Sequence, residues 1–140
     1  MLYARIFIYV LLAPIPSIAA EIAWVKSFDV ALKQAAEQRK FVVLDMSASW
    51  CGFCRRMARE VYPDAKFVEF SRGLVFVRLF IDMDPQGPNL DERFAPRGFP
   101  TIVILNSRGQ EVGRLIGARD RDRLIQEIEA ITSRAQAGVP

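Results

Sequence analysis

Cys51 and Cys54 are the chain's only cysteines, and the stretch "SASWCGFCRRM" (Ser47–Met57) sets them two residues apart. Four chemistries use thiols this close: a metal clamp, a covalent haem anchor, a structural staple and a redox switch. A structural zinc site takes four ligands from Cys, His and carboxylates. Two thiols and no histidine anywhere leave such a site two ligands short. Copper delivery recruits His or clustered Met beside the thiols, and the four Met here are scattered. Haem attachment needs C-x-x-C-H, and Arg55 stands where that histidine would be. No metal and no bound cofactor are expected. A staple and a switch are left.

The elements that would hold the pair weigh on that choice. "FVVLDMS" (Phe41–Ser47) is an almost unbroken apolar, β-branched run, which suits a strand covered on both faces. After it, Cys54, Met57, Ala58 and Val61 recur at the spacing of one helical face, and Pro63 stops that helix. The cysteines therefore sit where a strand ends and a helix begins. Cys51 falls at the helix N-terminus, where free backbone N–H groups and the macrodipole favour an anion and so the reactive thiolate. Cys54 lies one turn in, shielded, and placed to attack a mixed disulfide formed at Cys51. Gly52 lets another backbone approach. Arg55 and Arg56 add positive charge or form a solvated helix face. A staple closing so small a loop removes little chain entropy and would sit on a helix already held by its apolar stripe.

Elsewhere the pattern predicts a helix from about Asp29 to Arg39, capped by Asp29 or Ser27, with Phe28, Leu32, Ala35 and Ala36 on its apolar face. A short helix over Asp64–Ser71 and a buried strand over Leu74–Asp82 follow. Pro85, Gly87 and Pro88 mark a loop, and Asn89–Phe94 a helical turn or two. A strand over Thr101–Leu105, a turn at Asn106–Gln110 and a short strand over Glu111–Leu115 form a hairpin. A last helix spans about Asp120–Ser133, with a frayed tail from Ala135. The order αβα(α)βαββα implies an α/β mixed sheet of four to five strands, the first two parallel and the last two antiparallel, with helices on both faces.

At 140 residues and 51% apolar, the chain holds one domain with an ordinary core. Its net charge of +3 is not clustered, so no nucleic-acid partner is expected. Residues 1–20 differ from the rest. Arg5 is their only charge, Ile6–Ala13 is apolar, Pro14 and Pro16 break the run, and Ser17-Ile18-Ala19-Ala20 is mostly small. This is the pattern of a secretory signal peptide cleaved after Ala19 or Ala20, with an uncleaved anchor as the alternative. The apolar run falls well short of the roughly 20 residues that span a bilayer. Removing Arg5 takes the charge from +3 to +2. The expected division is a leader over 1–20 and one domain over 21–140, exported and most simply periplasmic.

The sequence resembles the thioredoxin family. The resemblance is carried by "VVLDMSASWC", with Asp45 six residues before Cys51; by the Trp50 and Gly52 that flank the first cysteine; by "LVFVRLFIDMDP"; and by "RGFPTIVILNSRGQEVGRLIGA". It runs from about Phe28 to Ile131 and implies the thioredoxin fold. It makes Cys51 the attacking nucleophile and Cys54 the resolving thiol. Asp45 becomes a buried carboxylate beneath the pair, able to accept the Cys54 proton because burial raises a carboxyl pKa. The alternative for Asp45 is a strand-end residue capping a turn. Phe99-Pro100 is identified with the family's cis peptide, leaving Phe99 backbone groups to pair with an extended substrate. Trp50, Gly52, Phe53, Phe99 and Pro100 would form the client-binding surface.

Three departures qualify the likeness. Phe53 replaces the proline usual between the thiols, and the residues there tune the potential. Arg78 stands where the family often has a lysine near the buried carboxylate; arginine keeps its charge at working pH and could only bias Asp45 electrostatically. The leader and the longer Met83–Arg97 loop are more similar to exported members. The function implied is a thiol–disulfide oxidoreductase that reduces disulfides in client proteins and is recharged by a membrane electron donor; a monomer is expected. The reducing direction is what the resemblance implies, since a Gly-containing C-x-x-C without histidine resembles the reductants of the family. The alternatives are an oxidase or isomerase, and a non-catalytic binding module that keeps the fold for its groove.

Overall fold

The computed structural model describes residues 20–138. The expected leader lies outside them except for Ala20. Nine elements follow in chain order: α1 (Phe28–Gln38), β1 (Val42–Ser47), α2 (Gly52–Glu60), α3 (Ala65–Ser71), β2 (Val75–Phe80), α4 (Gly87–Phe94), β3 (Thr101–Leu105), β4 (Glu111–Ile116) and α5 (Arg121–Gln136). The strands form one sheet in the order β2-β1-β3-β4. β1 runs parallel to β2 and antiparallel to β3, and β3 runs antiparallel to β4. An isolated bridge from Val25 to Val77 adds a single rung outside β2. Among the described residues the sheet therefore has four strands and a stub, and no full fifth strand.

β1 is buried at all six positions, as a run covered on both sides must be. Its alternate residues serve two cores. Val42, Leu44 and Met46 face α1 and α4, packing with Phe28, Ala31, Ala35, Leu90 and Phe94. Val43 faces α2, α3 and α5, packing with Met57, Val61, Phe67, Leu124 and Ile128. Burying Leu44, Met46, Met57, Phe67, Leu124 and Ile128 almost completely stabilises the layers by roughly 2 kcal/mol for each side chain. Asp45 and Ser47 share the Val43 face by strand alternation.

The helix boundaries follow their caps. The Ser27 side chain accepts the Val30 N–H, and α1 ends at Arg39 in a left-handed conformation. Its buried line is Phe28, Ala31 and Ala35, with Leu32 half-buried and Ala36 exposed, so the predicted face was rotated by part of a turn. Asp64 and Asp120 cap α3 and α5 through their carboxylates. α5 continues to Gln136, past the point where fraying was expected. β2 ends at Phe80, because Met83 and Asp84 donate their N–H groups to the Phe80 carbonyl and turn the chain. α4 starts at Gly87, with Pro88 in its first turn, a position where the missing N–H costs nothing. A Cβ at Gly87 would run into the Ile81 carbonyl, so glycine lets the loop close on itself. In the hairpin, the Asn106 side chain accepts the Arg108 and Gln110 N–H groups, and Gly109 takes φ +75.

Candidate active site

Cys51 is the N-cap of α2, and its sulfur accepts the Cys54 N–H at 3.1 Å. One helical turn brings the two Cα atoms to 5.3 Å, and the sulfurs are bonded to each other. The same backbone N–H would favour an anionic sulfur at Cys51 once the bond is reduced. The expected contrast in exposure between the two cysteines is absent. Cys51 is 4% exposed and Cys54 6%, and both pack with Ala48 and Phe99. What sets them apart is position: Cys51 begins the helix, and Cys54 lies within it.

The strand before the helix is tied down at its exit. Asp82, just past β2, accepts the Ser49 N–H at 2.9 Å on Oδ1 and the Ser49 hydroxyl on Oδ2. The Arg55 guanidinium donates to the Ser49 carbonyl at 3.1 Å. Hydrogen bonds from the Ser49 hydroxyl and amide hold the Asp82 carboxyl below its usual range. These contacts fix Ser49, two residues before Cys51. They were not legible from sequence, since Asp82 reads only as the polar end of a strand.

Asp45 lies within β1 and is 2% exposed, which removes the turn-capping alternative. Its Oδ2 accepts the Tyr62 hydroxyl at 2.9 Å and Arg78 Nε at 2.8 Å, and its Oδ1 accepts the Ser47 hydroxyl at 3.0 Å. Arg78 is its direct register partner on the parallel strand β2. The guanidinium lies against the rings of Trp24 and Tyr62, 4.5 and 4.4 Å from their centroids, while the two rings meet each other edge-on at 5.2 Å; Nη2 is buried without a partner among the described residues. Burial works against the Arg78 charge, yet the Asp45 carboxylate and Tyr62 outweigh it, and the guanidinium's value is raised. Burial, then the Asp45 carboxylate, push the Tyr62 phenol well above its ordinary value. Arg78 was foreseen beside Asp45. Tyr62 and Trp24 were not, because neither belongs to an apolar stripe.

The expected client surface surrounds the disulfide. Trp50 is 68% exposed and meets Phe99 edge-on at 5.8 Å. Phe53 is 60% exposed, with the Arg56 guanidinium 5.5 Å from its ring centre. The Phe99–Pro100 bond is cis. Pro100 is buried, and its carbonyl accepts the Gly117 N–H at 2.8 Å. Among the described residues, none pairs with the Phe99 backbone. A Cβ at Gly52 would meet nothing closer than Arg55 Nη2 at 3.8 Å, so the fold itself does not require glycine there. Beside Trp50 and Phe99 opens a groove of about 390 Å³, which also reaches Ile81, Asp82, Pro88 and Asp91. Among the described residues no group of three or more His, Cys, Asp or Glu could hold a metal ion. The arrangement can do one kind of chemistry well: exchange of a disulfide between this chain and another.

The profile of the thioredoxin-like domain matches residues 28–132. The chain is 34% identical over 104 residues to a thioredoxin H-type of Fagopyrum esculentum, a match covering 74% of this chain and 83% of that protein. It is 29% identical over 105 residues to the chloroplastic thioredoxin-like protein HCF164 of Arabidopsis thaliana. That match covers 75% of this chain, which spans only 39% of HCF164. A solved thioredoxin from Thermus thermophilus superposes with a TM-score of 0.70 at 25% identity, covering 79% of this chain and 88% of that one. A profile match over most of the sequence, with a relative spanned along most of its own length, makes this chain a member of the thioredoxin-like family.

Proposed function

We propose that this chain is an exported oxidoreductase that reduces disulfides in client proteins of the periplasm. The observation that carries the redox reading is the Cys51–Cys54 disulfide at the mouth of α2, beside an open groove and the unpaired backbone of Phe99. In the reduced protein, the Cys51 thiolate attacks one sulfur of a client disulfide. A Cys51–client bond forms, the client S–S bond breaks, and one client thiolate leaves. The Cys54 thiolate then attacks Cys51 Sγ, which closes the Cys51–Cys54 bond and frees the second client thiolate. Two electrons pass to the client, which gains two protons. The chain is left in the bonded form described above and needs an electron donor, assigned here to the membrane.

Asp45 is assigned the Cys54 proton during resolution. Its Oδ2 already accepts two hydrogen bonds and its Oδ1 only one, so Oδ1 retains the capacity to take a proton. Trp50, Phe53 and Phe99 supply apolar contact, and the cis Phe99–Pro100 bond presents the Phe99 backbone to an extended client strand. The Gly-containing C-x-x-C without histidine supports the reducing direction, and the pattern of residues 1–20 supports export.

Insulin-disulfide reduction tests the activity. The wild type is expected to precipitate insulin chains well ahead of Cys51→Ser, and equal rates would refute the assignment. Redox titration tests the direction. A midpoint near about −270 mV fits a reductant, whereas one near about −120 mV would make the protein an oxidant.

A further inference from the structure

We propose that the groove beside the disulfide selects client segments carrying a lysine or arginine close to the reacting cysteine. The inference rests on the oxidoreductase reading above and adds a substrate class to it. Trp50, Ile81, Pro88 and Phe99 give the groove apolar walls, and its charged residues are Asp82 and Asp91. Ala48 and Phe99, both in its lining, belong to the buried cluster that holds the two cysteines, so the groove opens beside the disulfide.

No basic side chain lines it. Of the arginines near it in sequence, Arg97 is exposed two residues before Phe99 without lining the groove, and three others are engaged elsewhere. Arg55 binds the Ser49 carbonyl, Arg56 lies over Phe53, and Arg93 lies over Phe28 and Phe94 while donating to the Gly109 carbonyl. Asp91 is exposed and has no ion-pair partner among the described residues. Asp82 accepts one hydrogen bond on each oxygen, both from Ser49, and so keeps a free lone pair on each. A lysine or arginine fits both features. Its aliphatic stem lies along the apolar walls while its head reaches the carboxylates, and the Trp50 ring is open to a cation over its face. A client glutamate at the same place would meet two like charges.

The test uses three homodimeric peptide disulfides of one sequence, with Lys, Ala or Glu on either side of the single cysteine. Oxidation of the reduced protein by each is followed through the peptide thiol released. Each rate is divided by that of the same peptide with dithiothreitol, which removes the peptide's own reactivity. The Lys peptide is expected to react about tenfold faster than the Glu peptide at low salt, with Ala between them. Asp91→Asn, or 0.5 M NaCl, should reduce that ratio to about threefold or less. Equal normalised rates, or a ratio that Asp91→Asn leaves unchanged, overturn the inference and leave the oxidoreductase reading standing. If no peptide oxidises the reduced protein, the oxidoreductase reading falls and takes the inference with it.

Discussion

Cys54→Ala is expected to accumulate a covalent adduct with insulin, visible as a thiol-sensitive species on a non-reducing gel with the summed mass of the two chains. In the wild type the resolving sulfur is tethered one helical turn away, with the Cα atoms 5.3 Å apart. Intramolecular groups so placed act at effective concentrations of roughly 10⁵ M or more, so the mixed disulfide does not persist. Without Cys54 only an external thiol can release it, and multiple turnover should fall by at least about 10³-fold. Cys51→Ala should form no adduct. The outcome decides something that exposure does not, because the two cysteines are almost equally buried. The roles rest on the N-cap position of Cys51 and its hydrogen bond from the Cys54 amide. An adduct from Cys51→Ala and none from Cys54→Ala would reverse them.

Arg78→Leu is expected to be the most destabilising single change near the site. It leaves the Asp45 carboxylate, 2% exposed, without the guanidinium that meets it at 2.8 Å. Breaking a buried pair in this way costs about 3–5 kcal/mol, a fall in Tm of roughly 10–20 °C for a domain of this size. Arg78→Lys should fall between the wild type and Arg78→Leu, since an ammonium keeps the charge and loses the guanidinium's contacts with the Trp24 and Tyr62 rings. The double variant Asp45→Leu/Arg78→Leu should recover much of the loss, because an apolar pair leaves no stranded charge. Thermal unfolding by circular dichroism reads all three. A double variant as unstable as the sum of its singles would show that Asp45 and Arg78 act independently.

Much of the fold was legible because its signals are local. The almost unbroken apolar run of β1 reads as an interior strand, whereas the burial of Asp45 in its midst was implied by the family resemblance, with a turn cap as the alternative that the structure removes. The Cys54–Met57–Val61 line located α2, and Ser27, Asp64 and Asp120 each capped a helix where expected or within a residue of it. Contacts set by register were harder to read. Asp45 meets Arg78 across 33 residues of chain; the family resemblance put a cation near that carboxylate, but neither strand's own pattern states which residues will stand side by side. The Ser49–Asp82 clamp spans the same separation. Trp24 precedes any periodic segment, so nothing announced that it would cover Arg78. In α1, Ala31 and Ala36 are the same small residue in sequence. The edge-on meeting of Phe28 with Phe94 at 5.8 Å accompanies the rotation that turns Ala31 inward. The pairing of β3 with β1 was also silent, because a crossover through α4 can return to either side of the first strand.

The central place of β1 has a consequence for how the molecule comes apart. Its backbone is laddered to β2 on one side and β3 on the other, under side chains on both faces. Amides in such a strand exchange with solvent only when the whole domain opens, whereas edge strands and helix ends fluctuate far more cheaply. Ala48–Trp50 run straight from this strand into the cysteine pair. The redox centre is thus mounted on the slowest-opening part of the protein, and transient loosening at the rim leaves it assembled.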